Sequence, residues 1–149
     1  MSDSTGFDLS QVSAEEFARF VAATSDEQLA FAIRAVGTGK VLDRVFEHMR
    51  VRFRPERAAG VDAEVEFLLR DEDLEHAYTV RVDEKACVVR RDAPEAPRVS
   101  LRFDVLSFVK LVTGCAEGPA LFLSGRLKVS GDLVFALKLL GLFDRPRPS

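Results

Sequence analysis

From Val61 onward the spacing of the apolar residues changes, and this change constrains the fold more than any other feature of the chain. Upstream they recur every three or four positions; from here Val61, Ala63, Val65, Phe67 and Leu69 take alternate positions, with Asp62, Glu64, Glu66 and Leu68 between them. Successive side chains of a strand point to opposite faces, so this alternation predicts a half-buried strand. The acidic turn Asp71-Glu72-Asp73 ends it. A second strand puts Leu74, His76, Tyr78, Val80 and Val82 on one face and Glu75, Thr79, Arg81 and Asp83 on the other. The turn at Asp83-Glu84 leads into a third strand around Ala86 to Arg90, and the loop Ala93 to Pro97 leads into a fourth around Arg98 to Phe103. Connections this short predict an antiparallel meander.

Helices precede these strands. Ser13 with Glu16 three residues later spells a capping box, which opens a helix over about Ala14 to Ala23 with Phe17, Phe20 and Val21 on one face. Thr24 or Ser25 caps a second helix carrying Leu29, Ile33 and Val36 and ending at Gly37. A third, from about Lys40 to Met49, buries Val41, Leu42, Val45 and Phe46.

The closing third mixes both periods. Asp104 caps a helix bearing Leu106, Phe108, Val109 and Val112, which ends at Gly114. Gly118-Pro119 opens a helical turn with Leu121, Phe122 and Leu123, Gly125 breaks it, and Arg126 to Ser130 alternates as a fifth strand. Asp132 caps a last helix through about Leu140, in which only Lys138 is clearly polar. A helix apolar almost all round is expected to be covered on more than one side.

Composition removes several classes of function. At 149 residues, 47% hydrophobic and 30% charged, the chain suits one compact soluble domain that buries roughly two-thirds of its unfolded surface without a metal or disulfide staple. The net charge of -3 offers no general attraction to nucleic acid. Cys87 and Cys115 lack the spacing of a metal or redox pair, and His48 and His76 are the only histidines, so neither a metal nor another cofactor is expected. No run approaches the ~18 apolar residues of a membrane span. The opening residues show no basic start followed by an apolar stretch, which predicts a cytoplasmic protein with reduced thiols.

The segment Gly125 to Asp132, GRLKVSGD, followed by LVFALKLLGLF, strongly resembles the closing motif of the sterol carrier protein type two family. The likeness extends to Gly60-Val61-Asp62-Ala63-Glu64-Val65, to Val99-Ser100-Leu101-Arg102-Phe103-Asp104, and to Lys110-Leu111-Val112-Thr113-Gly114 with Leu121-Phe122-Leu123, in the family's order from about Leu42 to Phe143. It implies an α+β fold: a five-stranded, mostly antiparallel sheet covered by helices, with a hydrophobic tunnel for fatty acyl chains, sterols or phospholipids. It implies no shared catalytic residues. Residues 1–40 look like the helical extension of bacterial members and 41–145 like the lipid-binding unit. The tail Arg145-Pro146-Arg147-Pro148-Ser149 carries no peroxisomal targeting tripeptide, in keeping with a bacterial-type cytoplasmic protein.

Twelve phenylalanines in one small domain are the main functional signal. Phe103, Phe108, Phe122, Phe135 and Phe143 are expected near the last helix, as a cavity lining or a dimer surface as readily as an ordinary core. A gap walled by large apolar groups is costly unless a ligand or partner fills it. With Phe67, Val80, Leu101, Val112, Leu121, Leu127 and Leu139 they make up the candidate lining. His76 and Tyr78, polar groups on an apolar strand face, are candidate partners for a ligand head group, although solvent at the strand end satisfies them as well. Arg50, Arg52, Arg54 and Arg57 can meet an anionic membrane surface or pair with Asp62, Glu64 and Glu66. The leading reading is non-catalytic binding, with transfer, of a lipid or sterol-like ligand. Its alternatives are a small biosynthetic enzyme that uses the cavity to orient a hydrophobic substrate, with His76, Tyr78, Cys87 and Cys115 as its reactive groups, and an apolar module that pairs with itself as a homodimer or with another chain.

Overall fold

The computed structural model describes residues 12–72, 74–92 and 94–144. Expectations placed on the first eleven residues, on Asp73 and Ala93, and on the tail from Arg145 lie outside the described residues. Three helices lead: α1 (Ala14–Ala23), α2 (Asp26–Val36) and α3 (Thr38–Val51). The capping box forms, with Glu16 N donating to Ser13 Oγ at 3.1 Å and Ser13 N to Glu16 Oε1 at 2.9 Å. Ser25, rather than Thr24, caps α2 by accepting from Gln28 N. Phe17, Val21, Leu29, Ile33, Val41, Leu42, Val45 and Phe46 join one core with the sheet. Phe20 does not, being 37% exposed. The buried arc of α1 runs through Phe17, Ala18 and Val21, and at about 100° per residue Phe20 falls well to one side of it.

The strands are β1 (Asp62–Asp71), β2 (Leu74–Asp83), β3 (Cys87–Arg90), β4 (Val99–Asp104) and β5 (Lys128–Gly131), in one open sheet of order β3-β2-β1-β4-β5. The fold is therefore α+β, with a sheet that is antiparallel except for one pair. That pair corrects the meander: β4 runs parallel to β1, with Val65 beside Val99 and Phe67 beside Leu101. The reason lies in the shortness of β3, which stops at Arg90 opposite Thr79, level with the position where β4 begins. The link 91–98 need only pass sideways over the outer face. Thr79 Oγ1 donates to Asp92 O at 2.5 Å, Glu95 N to Glu64 Oε1 at 3.3 Å and Arg98 N to Glu64 O at 2.8 Å. This covering leaves Thr79 fully buried although it faces away from the core.

Three further helices complete the apolar layer: α4 (Val105–Val112), α5 (Gly118–Leu123) and α6 (Leu133–Leu139), followed by a 3-10 turn at Leu140–Leu142. Asp104 caps α4 through Ser107 N, and Asp132 caps α6 through Phe135 N, each at 2.9 Å. Gly131 has φ +106, and a Cβ there would meet Arg98 O at 2.6 Å. Only glycine lets β5 close against β4 at this point. The last helix departs from expectation. Phe135, Ala136 and Leu139 are buried, but Val134 is 76% and Leu137 59% exposed, because among the described residues nothing packs on the outer side of α6.

Candidate functional site

The core is solid at one end and hollow at the other. At the solid end Phe46 lies 4.3 Å from Tyr78, 4.7 Å from Phe108 and 5.4 Å from Phe67, measured between ring centroids, and Phe103 closes the group 5.5 Å from Phe108. Beyond these rings lies a cavity of about 320 Å³, at the lower end of the range for small-molecule sites. Its base is Phe67, Val80 and Leu101 from the sheet, one wall is Met49 and Arg52 from the end of α3, and a second is Phe108, Leu111 and Val112 of α4. Glu117, Gly118 and Pro119 at the start of α5, and Leu137, Leu139, Leu140, Gly141, Phe143 and Asp144 toward the end of the chain, close the remainder. Glu117, Pro119, Leu137, Leu140 and Gly141 are exposed and so mark the mouth.

Of the residues picked from the sequence, Phe67, Val80, Leu101, Phe108, Val112, Leu139 and Phe143 are brought together around this space. Phe103 stands behind Phe67 and Phe108. Leu121 and Leu127 are buried elsewhere in the core. The supposed cluster of five phenylalanines is dispersed: Phe135 lies under the Arg98 guanidinium at 4.3 Å, Phe143 pairs with Phe53 at 5.5 Å, and Phe122 is 39% exposed on α5. Met49, Arg52, Leu111, Leu137 and Leu140 line the cavity without having been picked. The helical stripe Leu42, Val45, Met49 held a signal for the first of these. A lone arginine holds none.

Neither polar strand residue reaches the cavity. Tyr78 donates its hydroxyl to Asp43 Oδ1 at 2.9 Å, so it binds sheet to α3 instead of reaching solvent or a ligand. Burial, then this carboxylate, pushes its pKa up. His76 sits opposite Leu69 at the far end of β2, its Nε2 shielded and without a hydrogen-bond partner. The basic turn also differs from expectation. Arg50 pairs with Glu47 at 2.6 Å, Arg54 and Arg57 with Asp144 at 2.5 and 2.8 Å, and Arg52 turns inward. Asp62, Glu64 and Glu66 are taken instead by Arg81, Arg90 and Ser100. Sequence proximity had favoured partners on the next strand, whereas the folded chain brings α3 beside its own C-terminal segment.

The groups an acid/base or nucleophilic mechanism would draw on are scattered. Cys87 stands opposite Val82 and His76 opposite Leu69, six residues apart along β2 and so roughly 20 Å. Burial pushes the Cys87 thiol up to about 12, far from a thiolate nucleophile at neutral pH. Among the described residues no three His, Cys, Asp or Glu side chains gather as a metal site. No described helix is long and apolar enough to cross a membrane.

The sequence pattern of the SCP-2 sterol transfer family matches residues 42–144, which include every strand and every cavity-lining residue. The chain belongs to this family. Membership supports lipid binding or transfer in general. Among solved structures, the sterol carrier protein 2 like 2 of Aedes aegypti is 16% identical, with a TM-score of 0.54 over 72% of this chain and 100% of that one. The sterol carrier protein domain 2 of Helicoverpa armigera is 23% identical, with a TM-score of 0.51 over 58% and 69%. The stereoselective inverting sec-alkylsulfatase Pisa1 from Pseudomonas sp. is 18% identical, with a TM-score of 0.62 over 72% of this chain. This family member spans 17% of that sulfatase chain. These likenesses are of fold. No curated protein matches the chain.

Proposed function

We propose that the protein carries a hydrophobic ligand, a fatty acyl chain, sterol or phospholipid, in this cavity and releases it unchanged. The single observation behind this reading is the apolar hollow itself, left open beside a core whose rings otherwise pack in contact. At ~0.8 kcal/mol per methylene, a dozen buried methylenes give roughly 10 kcal/mol, close to what a bilayer returns to the same chain. Exchange with a membrane is then near balance. The described residues from 12 to about 40 serve as a helical extension braced on the lipid-binding unit, and the protein works in the cytoplasm.

Contact with the membrane belongs at the mouth rather than at the basic turn, whose arginines are already paired. Leu137 and Leu140 line the cavity and are also exposed. One turn back along α6 they continue into Val134, which is 76% exposed. Lys138 borders this apolar arc on α6 and suits an anionic surface. Native mass spectrometry after mild purification should find a bound lipid. A broad lipid panel with no binder sinks the carrier reading. Val134→Asp should slow transfer between anionic vesicles without reducing the lipid already bound, and a homodimer that buries this arc would overturn the placement of the membrane.

A further inference from the structure

The inner face of the sheet is taken up by the cavity and the packed rings; the outer face is built differently at its two ends. At one end the link 91–98 lies over it, and Arg81, Arg90 and Ser100 hold the carboxylates of Asp62, Glu64 and Glu66. The other end lies open. There the register sets Ala77 of β2, Leu68 of β1, Arg102 of β4 and Lys128 of β5 in one row across four strands, a span of about 14 Å. Leu68 is half-buried and the other three are exposed. Arg102 and Lys128 stand directly opposite each other on antiparallel strands, a placement in which like charges weaken the sheet. Arg70, two residues beyond Leu68 and so on the same face, adds a third exposed cation. Glu75 approaches Arg102 to 3.4 Å, as a solvent-exposed ion pair of small worth. Among the described residues neither Lys128 nor Arg70 makes an ion pair. The row therefore costs the fold something and awaits an anion.

The row ends at an open strand edge. β5 is last in the strand order, so every second one of its residues turns its N–H and C=O away from β4 with no strand to receive them. Gly131, which has only backbone to show, is exposed, as are Lys128 and Ser130. We propose that β5 takes up an extended acidic segment of a partner protein as a sixth strand, whose outer-face carboxylates meet Lys128 and, one strand further in, Arg102. The residue facing Lys128 in such a strand lies about 4.8 Å from it, and a glutamate there reaches toward both cations. Backbone bonds along the edge supply affinity, and the cations select acidic side chains. Other occupants fit less well. A second copy would bring only Lys128-Val129-Ser130-Gly131 to this edge, a strand with no carboxylate. Nucleic acid would meet Glu66 and Glu75 among the cations, on a chain of net charge -3. A bilayer needs large exposed apolar groups, and Leu133, Val134, Leu137 and Leu140 place those on α6 and the turn after it instead. This surface lies across the sheet from the cavity, and the inference does not depend on the carrier reading.

The test titrates the full chain, followed through its backbone amide NMR signals, with a blocked octapeptide of alternating valine and glutamate. Shift changes should centre on residues 128–131, and a valine–lysine peptide of the same length should cause none there. Arg102→Gln with Lys128→Gln, both at exposed positions, should weaken the acidic peptide by about tenfold while the amide spectrum elsewhere stays that of the folded wild type. Two isomers of the peptide, one N-methylated on every valine and one on every glutamate, separate strand addition from plain charge attraction: alternate amides face β5, so one isomer should bind like the parent and the other about tenfold more weakly. No shifts at β5, an affinity unchanged in the double variant, or isomers that bind alike overturn the inference. A dimer in sedimentation that is lost in the double variant would overturn it in favour of a second copy. Broadening of the β5 amides by phosphatidylglycerol vesicles but not by the peptide would overturn it in favour of a membrane.

Discussion

The two ends of the apolar layer are built from the same kinds of residue and differ in one physical respect. Around Phe46 the rings of Phe67, Tyr78 and Phe108 meet at centroid distances of 4.3 to 5.4 Å, and the space is full. Around Val112 and Leu139 the side chains surround about 320 Å³ of open space and reach the surface through Leu137 and Leu140. Hydrophobicity does not distinguish the two. What differs is how far side chains from separate elements reach into the gap: long rings converge from α3, α4 and β1 at the first end, whereas Val112 and Gly141 stop short at the second.

If this contrast is real, removing atoms from the full end should be the most damaging change. Phe46→Ala should cost about 3–5 kcal/mol, read as a fall in the urea midpoint at constant slope, because Phe46 is 1% exposed and its neighbours have little room to collapse. A loss under about 1 kcal/mol would show that this end is not tightly packed. Adding atoms should separate the two ends more sharply. Val65→Phe, at a fully buried strand position, should destabilise by about 1–3 kcal/mol through overpacking. Val112→Phe, beside the cavity, should leave stability equal or raised and weaken lipid binding at least tenfold. Equal destabilisation by the two would remove the distinction between them.

The smallest effect concerns His48, on α3 against α1. Its ring meets Phe17 at 5.9 Å, and its Nε2 has no hydrogen-bond partner. Burial first, and then Arg44 and Arg52, hold its pKa below the usual 6.5. The unfolded chain thus takes up this proton at a higher pH than the folded one. Stability should be complete above 6.5, decline as pH falls from there toward the lowered folded-state value, and then level off. In urea titrations from pH 7.5 down to pH 5, His48→Gln should show a shallower decline than the wild type. Parallel curves would mean that His48 titrates alike in both states.

Much of the architecture was legible before any contact was known. Ser13 with Glu16, and the caps Asp104 and Asp132, lie where the helices begin. The alternation from Val61 to Leu69 marks β1 and its buried face correctly. About half of the candidate lining faces the cavity, since an apolar residue on the inner face of β1, β2 or β4 meets either the void or the packed rings beside it. Which of the two it meets was not legible. Phe67 and Phe103 both point inward from neighbouring strands, yet only Phe67 reaches the open space.

The sequence by itself determined what depends on residues a few positions apart: helix caps, the change of period at Val61 and the inner faces of β1 and β2. Each of these arises from backbone geometry within one turn or one strand repeat, so a local pattern is enough to specify it. Only the tertiary structure decided the partner of β4, the pairing of Tyr78 with Asp43, the inward turn of Arg52 toward Glu15 and the existence of the cavity. These depend on how separate segments share a volume: β4 takes the strand edge that its short connection can reach, and a void remains where side chains from α4, α5 and α6 together fail to fill the space above the sheet.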